Sequence, residues 1–341
     1  MKKWLPKVSL AVAIALGLGA CGSASEDTST TNEGTGGDTQ AQTETQTITF
    51  SLDQPASHIW VKATNKFAEL VEEKTDGSLI VEVHDSASLG TQREALEGMK
   101  VGTMGGTVSL EPVSGWVDEI GIFGVPYLFE DENHLNNFLT SESGEELNEL
   151  MIEEGFKPLT YFMRAPRQIS SNKKIESVDD LRGLNIRVPE SPTAPPAFEE
   201  MGARVVTLPI SEVYSALQQN VIDAQENPIT QIYSDKFYEV QDYITLSNHQ
   251  YQAAYLLISN DIYEGLTDEQ KAALEEAAEE TKQFEHELHA EELEAAYAGL
   301  EEAGVEIVEV DPAPFAEAAS QAYEGYDELM QTWIEKVRSS K

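Results

Sequence analysis

The sequence predicts an α/β protein of two lobes facing a cleft, followed by long C-terminal helices. Strand and helix patterns alternate in two successive rounds, over 48–110 and 159–225. The last third changes to an Ala-, Glu- and Leu-rich helical composition. A chain of 341 residues also allows two domains of roughly 150 residues each.

In order along the chain, Ile48-Thr49-Phe50-Ser51-Leu52 alternates as a strand does. Trp60, Val61, Thr64, Phe67, Ala68 and Val71 recur at helical spacing, and Gly77 stops the helix. Leu79–Val83 is a second strand, 89–101 a helix and 102–110 a Gly-rich strand. This β-α-β-α-β order predicts a largely parallel sheet. Gly102, Gly105 and Gly106 lack the Lys and the spacing of a phosphate loop and read as strand-edge packing. The second round has strands at 159–163, 184–188, 204–208 and 221–225. Between them stand a short capped helix at Ser177 and helices over 197–201 and 212–219. Residues 268–303 form a long helix with a break allowed near its middle, and 314–337 form another that Pro314 can start. The small apolar positions of the first, such as Ala272, Ala273 and Ala277, keep no heptad, so a coiled coil is not expected.

The N-terminus is read separately from the fold. Lys2, Lys3 and Lys7 precede an apolar run, Val8–Ala20, too short for the ~20 residues of a membrane span. Residues 1–20 therefore read as an export signal. Leu18-Gly19-Ala20-Cys21 resembles the lipobox of bacterial lipoproteins, which implies cleavage before Cys21 and a lipid on its sulfur; a buried structural Cys is the other reading. Residues 21–47 hold no aliphatic side chain larger than Ala, five acids and no base. They read as a disordered acidic tether with a reach of roughly 25–30 Å.

Composition excludes several functions. With 22 basic and 61 acidic residues the formal charge is -39. That argues against nucleic acid and against an anionic membrane surface as partners. It reads as adaptation of an exposed surface to a salty or alkaline medium. One Cys allows no internal disulfide and no Cys-rich metal site. No nucleophile elbow, zinc motif, Walker loop or dinucleotide fingerprint is present, so neither an enzyme nor a cofactor is expected. His286 and His289, with Glu285 or Glu292, have metal-ligand spacing, but an exposed polar helix face is the preferred reading and no metal is expected.

The informative residues are cations. Leu184, Ile186 and Val188 alternate inward, which sets Arg187 on the opposite face at the carboxyl end of a strand that Pro189 terminates. Open α/β sheets bind ligands there, and a guanidinium grips a carboxylate with two parallel hydrogen bonds. Pairing with Glu190 is the alternative. Asn227 precedes Pro228 and is either a helix N-cap or a ligand contact. Arg167 follows Pro166 at the mouth of the second unit.

Three segments add up to a resemblance: Arg167–Asn172, DLRGLNIRVPESP at 180–192, and GARVVTLPISEVYSALQQNVIDAQENP at 202–228. Together with LGTQREALEGMKVGTM at 89–104 and GVPYLF at 124–129 they resemble the solute-binding proteins of tripartite ATP-independent periplasmic (TRAP) transporters over about residues 48–341. The resemblance implies a type II-like periplasmic-binding-protein clamshell. Lobe 1 would be 48–164 plus about 253–292, and lobe 2 165–252 plus about 293–341. It implies a monomer that captures an organic acid, either a four-carbon dicarboxylate or a uronate-like sugar acid, for an ion-driven membrane permease. Arg187, Arg167 and Asn227 match the family's ligand-binding residues. Trp116, Phe129 and Tyr214 are secondary candidates for closing over the carbon skeleton, with core packing the preferred reading of each. Arg164 departs from the common lead-in and bears on the ligand subclass. A binding lipoprotein of an ATP-driven importer and an extracellular lyase on acidic sugars are the alternatives.

Overall fold

The structure is a computed structural model that describes residues 45–341. The export signal, Cys21 and the tether up to residue 44 lie outside the described residues. The first strand, β1 (Gln46–Ser51), begins two residues before the expected start at Ile48, because Gln46 and Thr47 pair with Leu79 and Ile80.

The helix α1 (Ile59–Lys74) buries Trp60, Val61, Ala63, Thr64, Phe67 and Val71. It leads to β2 (Leu79–His84), α2 (Gln92–Lys100) and β3 (Met104–Ser109). The start of α2 moves from the expected 89 to Gln92, because Thr91 and Glu94 form a capping box that fixes the N-terminus. Both β2 and β3 run parallel to β1, as the alternation predicts. Next come α3 (Glu132–Leu139), α4 (Glu142–Glu153) and β4 (Phe156–Met163).

The second sheet is built from β5 (Arg167–Ser171), β6 (Asn185–Val188), α5 (Ala194–Glu200), β7 (Arg204–Thr207), α6 (Ile210–Gln218), β8 (Ala224–Pro228), α7 (Ile229–Ser234) and β9 (Tyr243–Gln250). The chain then returns with β10 (Ala253–Ser259), α8 (Asn260–Glu264) and α9 (Asp268–Glu302). It ends with β11 (Glu306–Glu309), α10 (Ala313–Ser320) and α11 (Glu328–Arg338).

Two sheets result, ordered β2-β1-β3-β10-β4 and β11-β9-β5-β8-β6-β7. The first is mixed rather than largely parallel, since β10 inserts antiparallel between β3 and β4. This makes β3 an internal strand, which corrects the strand-edge reading of its glycines. A Cβ at Gly105 would collide with the Phe50 ring, and one at Gly106 with the Ser51 carbonyl. The glycines let β1 and β3 approach.

Two adjacent segments, 164–166 and 251–252, carry the chain between the sheets and are joined by a hydrogen bond from Arg164 N to Gln252 O (3.1 Å). The third crossing is α9. It runs 35 residues, ~52 Å at 1.5 Å per residue, as the single long helix expected, without the break its middle allowed. Its Leu274, Ala277 and Ala278 pack into the core beside β1 and β10, and its Ala296 and Leu300 into the core beside β9. The expected helix over 314–337 is two helices. Phe315 and Ala319 of α10 pack with β6. Met330, Trp333, Ile334 and Val337 of α11 form a stripe that packs back onto the first lobe's core, with Val108, Phe123 and Leu135. The C-terminal helix therefore departs from the lobe 2 assignment: one stripe cannot face both cores, and the turn at 325–327 redirects it.

Candidate ligand-binding site

The cleft between the sheets encloses a cavity of about 230 Å³. Lobe 1 contributes Asp53 just past β1, the last residue of β3 and the turn after it (Ser109, Glu111), the start of α2 (Gln92, Arg93) and Trp60. Lobe 2 contributes the carboxyl ends of β6 and β8, with Arg187 and Asn227, the strand-end residues Thr207 and Leu208, and Gln231. The interlobe crossing contributes Arg164 and Arg167.

Arg187 is 4% exposed and stands on the β6 face opposite the core residues Ile186 and Val188. Its Nε and Nη2 donate to Leu208 O at 2.8 and 2.6 Å. Burial draws its pKa down to about 10. Glu190 is not its partner. That carboxylate takes Arg93 Nη1 at 2.9 Å across the cleft mouth, while the Arg93 guanidinium stands over the Trp116 ring.

Arg167 is committed to protein partners, as the salt-bridged reading of its position allows. Its Nη2 donates to Glu226 Oε1 (2.8 Å), Glu226 O (2.8 Å) and Asn227 Oδ1 (3.0 Å), its Nε to Glu226 Oε2, and its Nη1 to Gln252 Oε1 (3.2 Å). Burial alone would raise the Glu226 pKa, but Arg167 and a hydrogen bond from His249 Nε2 hold it down at about 2. Asn227 lies inside β8, opposite Gln168 of β5, so it is not an N-cap; Pro228 holds that position. Its Nδ2 donates to Gln225 Oε1 at 2.6 Å. Arg164 donates to Gln252 Oε1 and Gln231 Oε1 at 2.9 and 2.8 Å and lies over the Trp60 ring, 4.9 Å from its centroid. Burial lowers its pKa to about 9.

Among the described residues, no carboxylate lies within ion-pair distance of Arg164 or Arg187, and Arg167 meets only Glu226 and, at 3.8 Å, Glu111. Glu111 is 1% exposed; Gln252 Nε2 donates to its Oε1 at 2.6 Å, and its Oε2 has no partner. Burial raises the Asp53 pKa to about 6, against a hydrogen bond from Gln92.

The aromatic candidates do not line this cavity. Phe129 packs among Phe123, Phe138 and His134 in the first core. Trp116 meets Phe156 edge-on, and Tyr214 donates to Glu239 beside a neighbouring cavity. The aromatic in place is Trp60, which the sequence marked only as a helical core position. Asp53, Gln92, Glu111 and Gln231 were likewise missed; no local pattern distinguishes them. Among the described residues around His286 and His289, no group of three or more His, Cys, Asp or Glu is arranged to hold an ion. Glu292 is paired with Lys62, and Glu285 is buried.

Residues 50–332 match the family model for bacterial extracellular solute-binding proteins, family 7. The chain belongs to this family. It is 34% identical over 235 residues to a solute-binding protein of Roseobacter denitrificans, covering 69% of this chain and 72% of that one. It is 32% identical over 233 residues to the C4-dicarboxylate-binding protein DctB of Bacillus subtilis, covering 68% and 66%. A crystal structure of a TRAP periplasmic solute-binding protein from Roseobacter denitrificans with bound L-galactonate superposes with a TM-score of 0.83 at 31% identity, over 86% of this chain and 99% of that one. Another, from a Sulfitobacter species with bound β-D-galacturonate, gives 0.84 at 25% identity, over 86% and 100%. The fold is thus the two-lobed clamshell of these proteins. The family 7 protein described here is the extracytoplasmic solute-binding subunit of a TRAP transporter, a binding protein that works with membrane permease subunits.

Proposed function

We propose that the cleft captures a sugar acid with one carboxylate, a uronate or aldonate, in preference to a four-carbon dicarboxylate. The observation that carries this is the charge balance of the cavity. Three buried guanidinium groups, Arg164, Arg167 and Arg187, face two carboxylates, Glu111 and Glu226. One positive charge remains for an anion, and Asp53 reduces even that above a pH of about 6. A second ligand carboxylate would have no counter-charge in a site that excludes water, where unpaired charge is expensive. Hydroxyl groups, by contrast, find acceptors. The free Glu111 Oε2 takes a donor, and Ser109, Gln92 and Asn227 are polar neighbours. The structural neighbours with bound galactonate and galacturonate support the same class.

In this reading Arg187 grips the carboxylate end-on. Its Nη1 makes no hydrogen bond to the described protein atoms, and Nη2 keeps a second N–H. Arg167 and Asn227 form the wall behind it, Arg164 adds positive potential, and Trp60 supplies the apolar face. The ligand leaves unchanged, because binding and release are the whole task. The protein acts as a monomer. Cys21, acylated after signal cleavage, would tether it to the outer face of the cell membrane, with residues 22–44 as linker; two or more acyl chains give stable anchoring.

Calorimetry of the purified protein with galacturonate, glucuronate, galactonate, succinate and malate tests the ligand class. A sugar acid is expected to bind at least tenfold more tightly than either dicarboxylate. A dicarboxylate that binds more tightly than every sugar acid overturns the reading. Recovery of the ligand unchanged after long incubation tests the absence of turnover. Loss of membrane association in Cys21→Ala tests the anchor.

A further inference from the structure

A second cavity, about 170 Å³, adjoins the first, and nothing in the proposed binding mode uses it. The two share Asp53 and Ile210 on their walls. Its polar lining comes from both lobes: Asp53 and Gln54 follow β1 in lobe 1, while Ser211, Tyr214 and Asp235 belong to lobe 2. Gln54 is 1% exposed, and both its Oε1 and its Nε2 lack a hydrogen-bond partner. A buried amide left unsatisfied at both ends is uncommon in a native fold and points to a partner that can donate and accept. Asp53 already accepts from Gln92, and Asp235 accepts only long bonds, from Gln231 at 3.3 Å and Ser234 at 3.4 Å.

We propose that this cavity is a distal subsite, which takes the hydroxyl-bearing far end of a six-carbon sugar acid whose carboxylate sits on Arg187. The inference rests on the sugar-acid reading above. Carbon chains that pass Asp53 deliver hydroxyl groups to Gln54 and Asp235. Hydroxyl is the group that suits both ends of the Gln54 amide, since it donates to Oε1 and accepts from Nε2. A second carboxylate in the same place would meet Asp53 and Asp235 and be repelled. Burial raises both carboxyls, Asp53 to about 6 and Asp235 to about 7. The site is thereby polarised: guanidinium groups at the carboxylate end, carboxyls at the far end. It selects length as well as charge.

The test is calorimetry of wild type, Gln54→Leu and Asp235→Asn with galactonate (six carbons, one carboxylate), erythronate (four carbons, one carboxylate) and galactarate (six carbons, two carboxylates). In Gln54→Leu the ratio of galactonate to erythronate affinity is expected to fall at least tenfold. In Asp235→Asn the ratio of galactarate to galactonate affinity is expected to rise at least fivefold. Ratios that stay within twofold of wild type in both variants overturn the subsite while leaving the sugar-acid reading intact. Asp235→Asn alone decides if Gln54→Leu does not fold. A wild type that binds none of the three, but binds succinate, overturns both readings before any variant is made.

Discussion

Replacement of Arg187 is the most direct perturbation of the proposed mechanism, and its size follows from the geometry. The side chain is 4% exposed and fixed by two bonds to Leu208 O at 2.8 and 2.6 Å. Those bonds use the Nε edge and leave the end-on edge, Nη1 with the second N–H of Nη2, for a carboxylate fork. Hydrogen bonds to charged groups contribute ~1.5–3 kcal/mol each, so a two-bond fork contributes ~3–6 kcal/mol. Without ligand the guanidinium stands desolvated, as the lowering of its pKa to about 10 indicates. That lowering corresponds to ~3 kcal/mol of strain on the charged form, which an arriving anion relieves. Arg187→Ala should therefore weaken sugar-acid binding by ~100-fold or more, while the ligand-free protein keeps its thermal stability, since the lost Leu208 bonds are offset by removal of a buried charge. Arg187→Lys retains the charge but not the fork and should fall between. Titration calorimetry, with differential scanning calorimetry of the ligand-free proteins, measures both quantities. An Arg187→Ala affinity within about threefold of wild type, ~0.7 kcal/mol, would refute the anchoring role, whatever the stability result.

Three further predictions follow from the same structure. Burial lifts the Glu285 carboxyl from 4.5 to about 8, and its Oε1 has no partner. The folded state thus holds a proton that the unfolded chain releases, so this penalty is absent below pH 4.5 and grows as pH rises to about 8, reaching ~5 kcal/mol. Glu285→Gln should be neutral in denaturation at pH 4 and stabilising by several kcal/mol at pH 8.5; equal midpoints of variant and wild type at pH 8.5 would contradict this. Asp53, at about 6, is more protonated as pH falls, so anion affinity should tighten by up to ~10-fold from pH 7.5 to 5.5 and flatten in Asp53→Asn; a wild-type affinity that does not change with pH excludes the coupling. The Arg93–Glu190 pair closes the cleft mouth between two half-exposed side chains, and such pairs contribute ~0.2–1 kcal/mol. Stopped-flow release from Arg93→Ala should be up to ~5-fold faster at low salt and match wild type at 0.5 M salt; equal rates at low salt rule out a latch.

The parts of the fold legible in the sequence are those whose signal is local. The stripe from Trp60 to Val71 and the strands around it needed only periodicity. The strand β10 did not announce itself, because it is buried on both faces and shows no alternation. Its insertion between β3 and β4 is a long-range choice that the sequence of 253–259 does not encode by itself. The stripe on α11 is readable as apolar, but which core receives it depends on the turn at 325–327. The site divides the same way. Arg187 was legible because strand alternation and Pro189 fixed its face and end. Glu111 and Asp53 were not, because among 61 acids only burial sets them apart, and burial is a tertiary property.

The same distinction resolves how a chain with a formal charge of -39 captures an anion. Exposed carboxylates act through water and salt and are screened within ~10 Å. Inside the cleft the effective dielectric is lower and the few charges present dominate. Among the described residues, most surface cations are already neutralised, as Lys74 is by Glu276 and Glu280, and Lys174 by Glu176 and Glu306. Arg164 and Arg187 instead give their fixed hydrogen bonds to neutral acceptors, Gln252, Gln231 and Leu208 O, which orient a guanidinium without cancelling it. Arg167 is cancelled by Glu226, and in exchange is held rigid against Asn227. The division of labour lies in the acceptor: carbonyl partners preserve charge for the ligand, and a carboxylate partner converts charge into structure. Net charge therefore predicts the solvent-facing behaviour of this protein, and the identity of the acceptors on three buried guanidinium groups predicts what it binds.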